Sequence, residues 1–418
     1  MERIVIEGGI PLRGCLRVNG AKNSAVALLA AAALTDEEVI LDNLPEIADV
    51  FVMIEILQAI GMKVTRRGAY EWHIAKGEHL SHQTPSEVAV KLRASYYFLG
   101  SLLAKKGKVN VALPGGCQIG ARPIDQHLKG FQAMNAKYFM EDGQIKLQTD
   151  HLQGGHVFFD MSTVGATINV MLAASMADGV TIMENAALEP EVIDVANFIN
   201  AMGGSVRGAG TETIRVTGVQ RFGGCVYSCI PDRIEAGTFL FAAAASGGDV
   251  TLSNVIPEHL DAVIAKLRET GLEVRSTLDT VRVIGNGRGK AVNIKTLPHP
   301  GFPTDLQAPA MAFMGLAEGT SIFSETIFEA RFGHAEELNS MGANIKVDGQ
   351  TAMVQGVQKY KGAPVHAANL RAGACLVIAG LAAHGTTYVS GVEHIDRGYD
   401  RIVERLHSLG AKIRRETV

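Results

Sequence analysis

The chain has 418 residues, 47% of them hydrophobic and 20% charged, with a formal net charge of −4. This length exceeds what one hydrophobic core usually supports, so two domains are expected, and the composition excludes disorder. The acidic balance argues against a general nucleic-acid binder, which would carry a basic stripe.

The opening residues, Met-Glu-Arg-Ile-Val-Ile-Glu-Gly-Gly, contain neither an apolar leader core nor a cleavage signal, so the cytoplasm is the expected compartment. The longest apolar runs, 25–34 and 375–383, are too short to span a bilayer, so no membrane insertion is expected. Five irregularly spaced cysteines give no disulfide framework and no paired zinc motif. Cys225 and Cys229 read as thiols in the fold rather than as half of a metal site.

Along the chain, six apolar helix-like stretches each run into a glycine-type stop and then a short strand-like segment. The stops centre on Gly61, Asn135, Gly203, Gly271, Gly342 and Gly410, which lie 74, 68, 68, 71 and 68 residues apart. Gly, and occasionally Asn, is what a helix end requires where the chain turns left-handed. A near-constant period of roughly 70 residues means one supersecondary unit used six times. It is too long for common solenoid repeats, so each copy should be a compact α/β unit, and six divide into three and three.

A second series keeps step with the stops. Polar clusters at Lys22-Asn23, Arg93, Thr163-Val164-Gly165, Asp232-Arg233, Thr304-Asp305 and Asn369-Leu370-Arg371 each precede about ten small apolar residues. Helices apolar on nearly every face belong inside a domain. Their N-termini offer free amides and partial positive charge, which suit phosphate. Asp and Asn in these clusters also read as ordinary helix caps, whereas Lys and Arg do not. The expected arrangement is three inner helices per domain, sheets outside, and the polar clusters converging on an interdomain cleft.

Between the second repeat's inner helix and its next helix lies Leu-Pro-Gly-Gly-Cys-Gln-Ile-Gly-Ala-Arg-Pro-Ile-Asp, residues 113–125. Three glycines in six positions let a backbone approach a ligand closely, and Cys117 sits at their centre with Arg122 five residues on. A thiol beside guanidinium and free amides has its thiolate favoured.

Taken with Lys22-Asn23, Phe302-Pro303-Thr304-Asp305, Glu325-Thr326-Ile327-Phe328-Glu329 and His394-Ile395-Asp396-Arg397-Gly398-Tyr399, this loop resembles the UDP-N-acetylglucosamine 1-carboxyvinyltransferase family of enolpyruvyl transferases over the whole chain. The sister family, 5-enolpyruvylshikimate-3-phosphate synthase, shares fold and chemistry but lacks the Gly-Gly-Cys loop. The resemblance implies two inside-out α/β barrel domains, each of three similar βαβαββ-type units. The chain would cross near 19–21 and again near 230–232. One domain would span 22–229, and the other would combine 1–21 with 230–418.

The implied reaction adds the 3-hydroxyl of UDP-N-acetylglucosamine to phosphoenolpyruvate and then eliminates phosphate, the first committed step of peptidoglycan synthesis. It demands no cofactor and no metal. By resemblance, Cys117 is general acid and adduct-forming nucleophile, the thiol that fosfomycin would label, and Asp305 is the candidate base. Asn23 would bridge sugar and intermediate. Lys22, Arg122 and Arg397 would grip phosphoenolpyruvate, with Arg331 and Arg371 as further cations. Arg93, the segment Arg122, Pro123, Ile124, Asp125 and Gln126, then Thr163, Val164, Gly165 and Ile327, match positions that hold the nucleotide sugar. Two positions depart from the family pattern. Asn369, also matched to the substrate site, replaces the usual Asp, and Met161 stands where some members carry Lys. An amide keeps the shape but holds no charge. Asn369 is the direct support for an alternative, a low-activity paralogue that binds nucleotide sugar and regulates or scaffolds cell-wall synthesis. Protein partners cannot be read from the sequence.

Overall fold

A computed structural model describes residues 2–113 and 123–417. They divide into two compact units: a central one of residues 20–113 and 123–230, and a terminal one of residues 2–19 and 231–417.

In the central unit three helices, Lys22–Ala32, Tyr97–Lys106 and Val164–Ala174, form the middle, and the second packs on both others. Residues 24–32 are buried without exception, as are 166–174. Such helices cannot be amphipathic: every face meets protein, and runs of Ala let backbones approach closely. Ala48–Ala59, Asp125–Ala133 and Pro190–Ala201 pack beside them, each with one buried face. Three sheets contribute alternate buried residues to the same core, as in Thr213–Thr217, where only Ile214 and Val216 are buried. Strand Cys225–Ser228 returns to pair in parallel with Val39–Asp42, closing the unit on its own first repeat.

The terminal unit repeats the plan with Arg233–Ser246, Gln307–Met314 and Leu370–Ala382 packed on one another, and three four-stranded sheets. Its first and last strands lie together: Glu2–Glu7 pairs antiparallel with Lys412–Thr417 and with Thr386–Ser390. Strand Arg13–Arg17 pairs in parallel with Asp249–Ser253. The sixfold α/β repeat is therefore present as two sets of three.

All six predicted stops adopt the left-handed backbone, with φ of 103° at Gly61, 68° at Asn135, 95° at Gly203, 88° at Gly271, 92° at Gly342 and 94° at Gly410. A second glycine signature was not read from the sequence. A Cβ on Gly218 would lie 1.7 Å from the Ala177 carbonyl oxygen, and one on Gly356 would lie 1.6 Å from that of Ala317. In both units a strand exit crosses the end of an inner helix with no room for a side chain.

Candidate functional site

In the terminal unit two of the predicted residues, Arg331 and Arg371, meet Asp305. Pro303, in extended conformation, leads into a single 3-10 turn, Thr304–Leu306, which runs directly into the inner helix Gln307–Met314. The turn presents the Asp305 carboxylate to two guanidiniums. Arg331 donates to Oδ1 at 2.7 Å and Arg371 to Oδ2 at 2.7 Å. The arginine side chains are 6% and 7% exposed and that of Asp305 25%, so the carboxylate is the member of the trio that solvent reaches. One carboxylate between two guanidiniums leaves the trio with a net positive charge, suited to an anionic ligand.

Aromatic rings brace both arginines. The Arg331 guanidinium lies 5.1 Å from the Phe328 ring centre and that of Arg371 lies 5.6 Å from the Tyr399 ring centre. Arg371 also donates to Tyr399 Oη at 3.1 Å, and that hydroxyl meets Thr238 Oγ1 at 2.9 Å. Burial lowers the Arg371 pKa, but Asp305, Tyr399 and Asp232 more than offset it and the guanidinium is held above its ordinary range. Burial pushes the Tyr399 phenol up, against the nearby Arg371. Arg397 is half-buried, two residues before Tyr399 in the turn after Val392–Ile395.

Asn369 has a definite task. Its Oδ1 accepts from the backbone N–H of Arg371 at 3.1 Å and of Ala372 at 3.0 Å, capping the helix that carries Arg371. Asn and Asp cap equally well. The cap reading therefore holds at this position, and the substitution leaves the helix start intact. Asp232 caps Arg233–Ser246 in the same way, with Oδ1 accepting from Ile234 at 2.7 Å and Glu235 at 3.1 Å. Ile327 lies in the loop after strand Thr320–Ser324, its amide donating to Glu325 at 2.9 Å.

In the central unit Lys22 and Asn23 open the first inner helix, which no side chain caps. Lys22 Nζ lies 3.0 Å from Asp49 on the neighbouring helix, and Asn23 Nδ2 is 3.5 Å from Glu191 Oε1. A second group surrounds His127. Its Nδ1 accepts from Asn169 Nδ2 at 2.9 Å, while Asn169 also donates to the Tyr96 carbonyl and accepts from Gly100 N. An accepting Nδ1 assigns the proton to Nε2. Burial and the charge of Arg93 together push His127 down to about 4, against the opposing pull of Asp125, so the ring is neutral. A Cβ on Gly165 would lie 3.1 Å from the ring's Cε1 and Nε2. The fold thus brings Arg93, Asp125 and Gly165 to one histidine.

Thr163 and Val164 form the start of the third inner helix, again with no side-chain cap. Gln126 is buried and braces this region internally: Nε2 donates to Asp125 at 2.7 Å and Asp160 at 3.1 Å, and Oε1 accepts from the Asp160 amide at 2.9 Å. Pro123 and Ile124 lead into the helix Asp125–Ala133. Met161 is exposed beside them. Cys117 and Arg122 lie outside the described residues.

Sequence reasoning missed Asp49, Glu191, His127 and Asn169 in this unit and Thr238 in the other, where Glu325 was part of a motif but had no role assigned. An acid near the start of a helix rich in apolar residues, as at Asp49, was the available signal. Among the described residues no group of three His, Cys, Asp or Glu is placed to hold a metal, and no helix is long and apolar enough to cross a membrane.

The EPSP synthase (3-phosphoshikimate 1-carboxyvinyltransferase) family matches residues 6–406. UDP-N-acetylglucosamine 1-carboxyvinyltransferase 3 of Caldanaerobacter subterraneus subsp. tengcongensis is 52% identical over 413 residues, 99% of each chain. UDP-N-acetylglucosamine 1-carboxyvinyltransferase 2 of Bacillus cereus is 50% identical over 416 residues, 100% of this chain and 97% of the relative. Among solved structures, the enolpyruvyl transferase NikO from Streptomyces tendae superposes with a TM-score of 0.89 at 25% identity, over 100% of this chain and 99% of that one. EPSP synthase from Acinetobacter baumannii, at 18% identity over the full length of both chains, shares the fold with a TM-score of 0.75.

Proposed function

The chain belongs to the EPSP synthase family and, within it, to the UDP-N-acetylglucosamine 1-carboxyvinyltransferases, and from that premise we propose that it transfers the enolpyruvyl group of phosphoenolpyruvate to the 3-hydroxyl of UDP-N-acetylglucosamine. Phosphate is released, and the product enters peptidoglycan synthesis in the cytoplasm. The observation that carries this reading is the Asp305 trio. A solvent-reachable carboxylate fixed at both oxygens by buried guanidiniums suits a base that must meet a sugar hydroxyl within an electropositive site.

The roles follow the balance of the reaction. In the addition step, the sugar oxygen bonds to C2 of phosphoenolpyruvate, Asp305 takes the hydroxyl proton, and the Cys117 thiol delivers a proton to C3. In the elimination step, C3 returns a proton to the Cys117 thiolate, the C2–O bond to phosphate breaks, and the leaving phosphate takes up the proton held by Asp305. The Cys117 S–H can also add across the C2–C3 double bond, sulfur bonding to C2 and the proton going to C3, to give a covalent adduct. Lys22, Arg122 and Arg397 grip phosphate and carboxylate, Asn23 bridges the sugar and the intermediate, and Arg93 with the Thr163–Gly165 helix start serves the nucleotide diphosphate. Charge-assisted bonds of this kind are worth roughly 1.5–3 kcal/mol each.

The scaffold alternative rested on Asn369, and a capping amide does not favour it. A phosphate-release assay tests the reading. Phosphate should appear only with both substrates present, and a protein that binds the sugar nucleotide without releasing phosphate would refute it. For Cys117, fosfomycin should label the wild type once and Cys117→Ser not at all, as read by intact mass. Label remaining on the variant would remove Cys117 from its assigned role.

A further inference from the structure

Asp305 and Arg331 lie in different loops, and one buried carboxylate outside the trio ties both loops down. Glu325 is 2% exposed. Its Oε2 accepts from Thr304 Oγ1 at 2.9 Å, the residue immediately before Asp305. Its Oε1 accepts from Thr296 Oγ1 at 2.9 Å and from the amides of Ile327 at 2.9 Å and Phe328 at 3.3 Å. Phe328 carries the ring against which the Arg331 guanidinium rests. Thr296, fully buried, completes the lattice: its Oγ1 accepts from Thr326 N at 3.0 Å and its carbonyl from Thr326 Oγ1 at 2.6 Å.

We infer that Glu325 is a positioning residue that sets the Asp305–Arg331 geometry by fastening the 3-10 turn and the 325–328 loop to one carboxylate. The inference rests on the reading of Asp305 as base. Four donors converge on two oxygens, and every donor belongs to a segment that carries a site residue or to the Thr296 anchor. An apolar residue in this place would leave two loop amides and two hydroxyls without an acceptor, and the turn bearing Asp305 would be free to shift. Glu325 itself moves no proton. Its task is acceptance and reach, which a glutamine can largely reproduce: the amide oxygen can take the Oε1 bonds, and the amide nitrogen can donate to Thr304 Oγ1.

The experiment compares phosphate release by wild type, Glu325→Ala, Glu325→Gln and Thr304→Val, with thermal unfolding of each. Displacement of a catalytic group by about 1 Å can lower rates by about 100-fold. Glu325→Ala should therefore lose about 10–100-fold in kcat/KM for UDP-N-acetylglucosamine. Glu325→Gln should stay within about fivefold of wild type, with an unchanged pH profile, because a positioning role needs no titrating group. Thr304→Val cuts a single tether and should lose about tenfold while melting near the wild-type temperature. Should Glu325→Ala not fold, the other two variants still decide. A Glu325→Gln enzyme without activity, or a Thr304→Val enzyme as active as wild type, overturns the inference alone. A wild type that releases no phosphate overturns the parent reading and this one with it.

Discussion

The two units begin their inner helices in different ways. In the terminal unit, Asp232 and Asn369 cap two of the three, and the third grows from the 3-10 turn that presents Asp305. In the central unit no described side chain caps any of the three: Lys22–Ala32 and Val164–Ala174 start without a cap, and Tyr97–Lys106 likewise grows from a 3-10 turn, Arg93–Tyr96. A capped start has its amides satisfied and serves to hold its neighbours in place. An uncapped one leaves donors for water or an anion. This contrast suits a division of labour in the proposed reaction: the terminal unit fixes a base between cations, and the central unit places Lys22, Asn23 and Thr163 at helix starts that no described side chain caps.

The comparison can be broken at its strongest point first. Asp305→Asn keeps the shape but removes the charge that Arg331 and Arg371 hold, so kcat for phosphate release should fall by about 10²–10⁴-fold, the usual range for a lost acid–base group. A loss below tenfold would take the base away from this residue. Next in size is Lys22→Met, which removes a cation from an uncapped helix start. It should lower kcat/KM for phosphoenolpyruvate by about 10–100-fold, in line with one charge-assisted bond. The change also leaves the buried Asp49 without its Lys22 partner, so the melting temperature should fall as well.

A smaller effect separates the units by pH. Asp194 in the central unit is pushed up to about 6 by burial, against hydrogen bonds from Tyr227 and the Ile230 amide, with Glu191 adding to the rise. Its folded form therefore holds its proton more tightly than an ordinary carboxylate near 3.9. That contribution to stability is complete at low pH and is lost as pH rises through about 6. Asp194→Asn stays neutral throughout. It should flatten the stability curve between about pH 4 and 6 and gain about 2 kcal/mol at pH 8, measured by denaturant unfolding. The smallest effect tests the caps: Asn369→Ala should cost about 1 kcal/mol, whereas Asn369→Asp should change stability by only a few tenths.

Much of the fold was legible because a left-handed backbone restricts the residue that can occupy it. Gly61, Gly203, Gly271, Gly342 and Gly410, with Asn135 in the second repeat, mark every repeat in the sequence itself. The inner helices were legible because burial on all faces leaves few polar residues, as between Ala25 and Leu34. Site residues in the terminal unit were legible as types but not as pairs. Asp305 meets Arg331 and Arg371 from 26 and 66 positions away, and no local pattern selects a partner at such separations. Glu325 was quoted within a motif yet its role stayed hidden, because acceptance from Thr296, Thr304 and two loop amides exists only once the loops meet. His127 was silent for a similar reason. Its neutral state comes from burial and from Arg93, which precedes it by 34 residues.

Product identification by mass spectrometry tests the central claim most directly. Incubated with phosphoenolpyruvate and an equal mixture of UDP-N-acetylglucosamine and shikimate 3-phosphate, the protein should add one enolpyruvyl group to the nucleotide sugar and leave the shikimate untouched. An enolpyruvyl ether on shikimate 3-phosphate, or both acceptors recovered unchanged, would contradict the account.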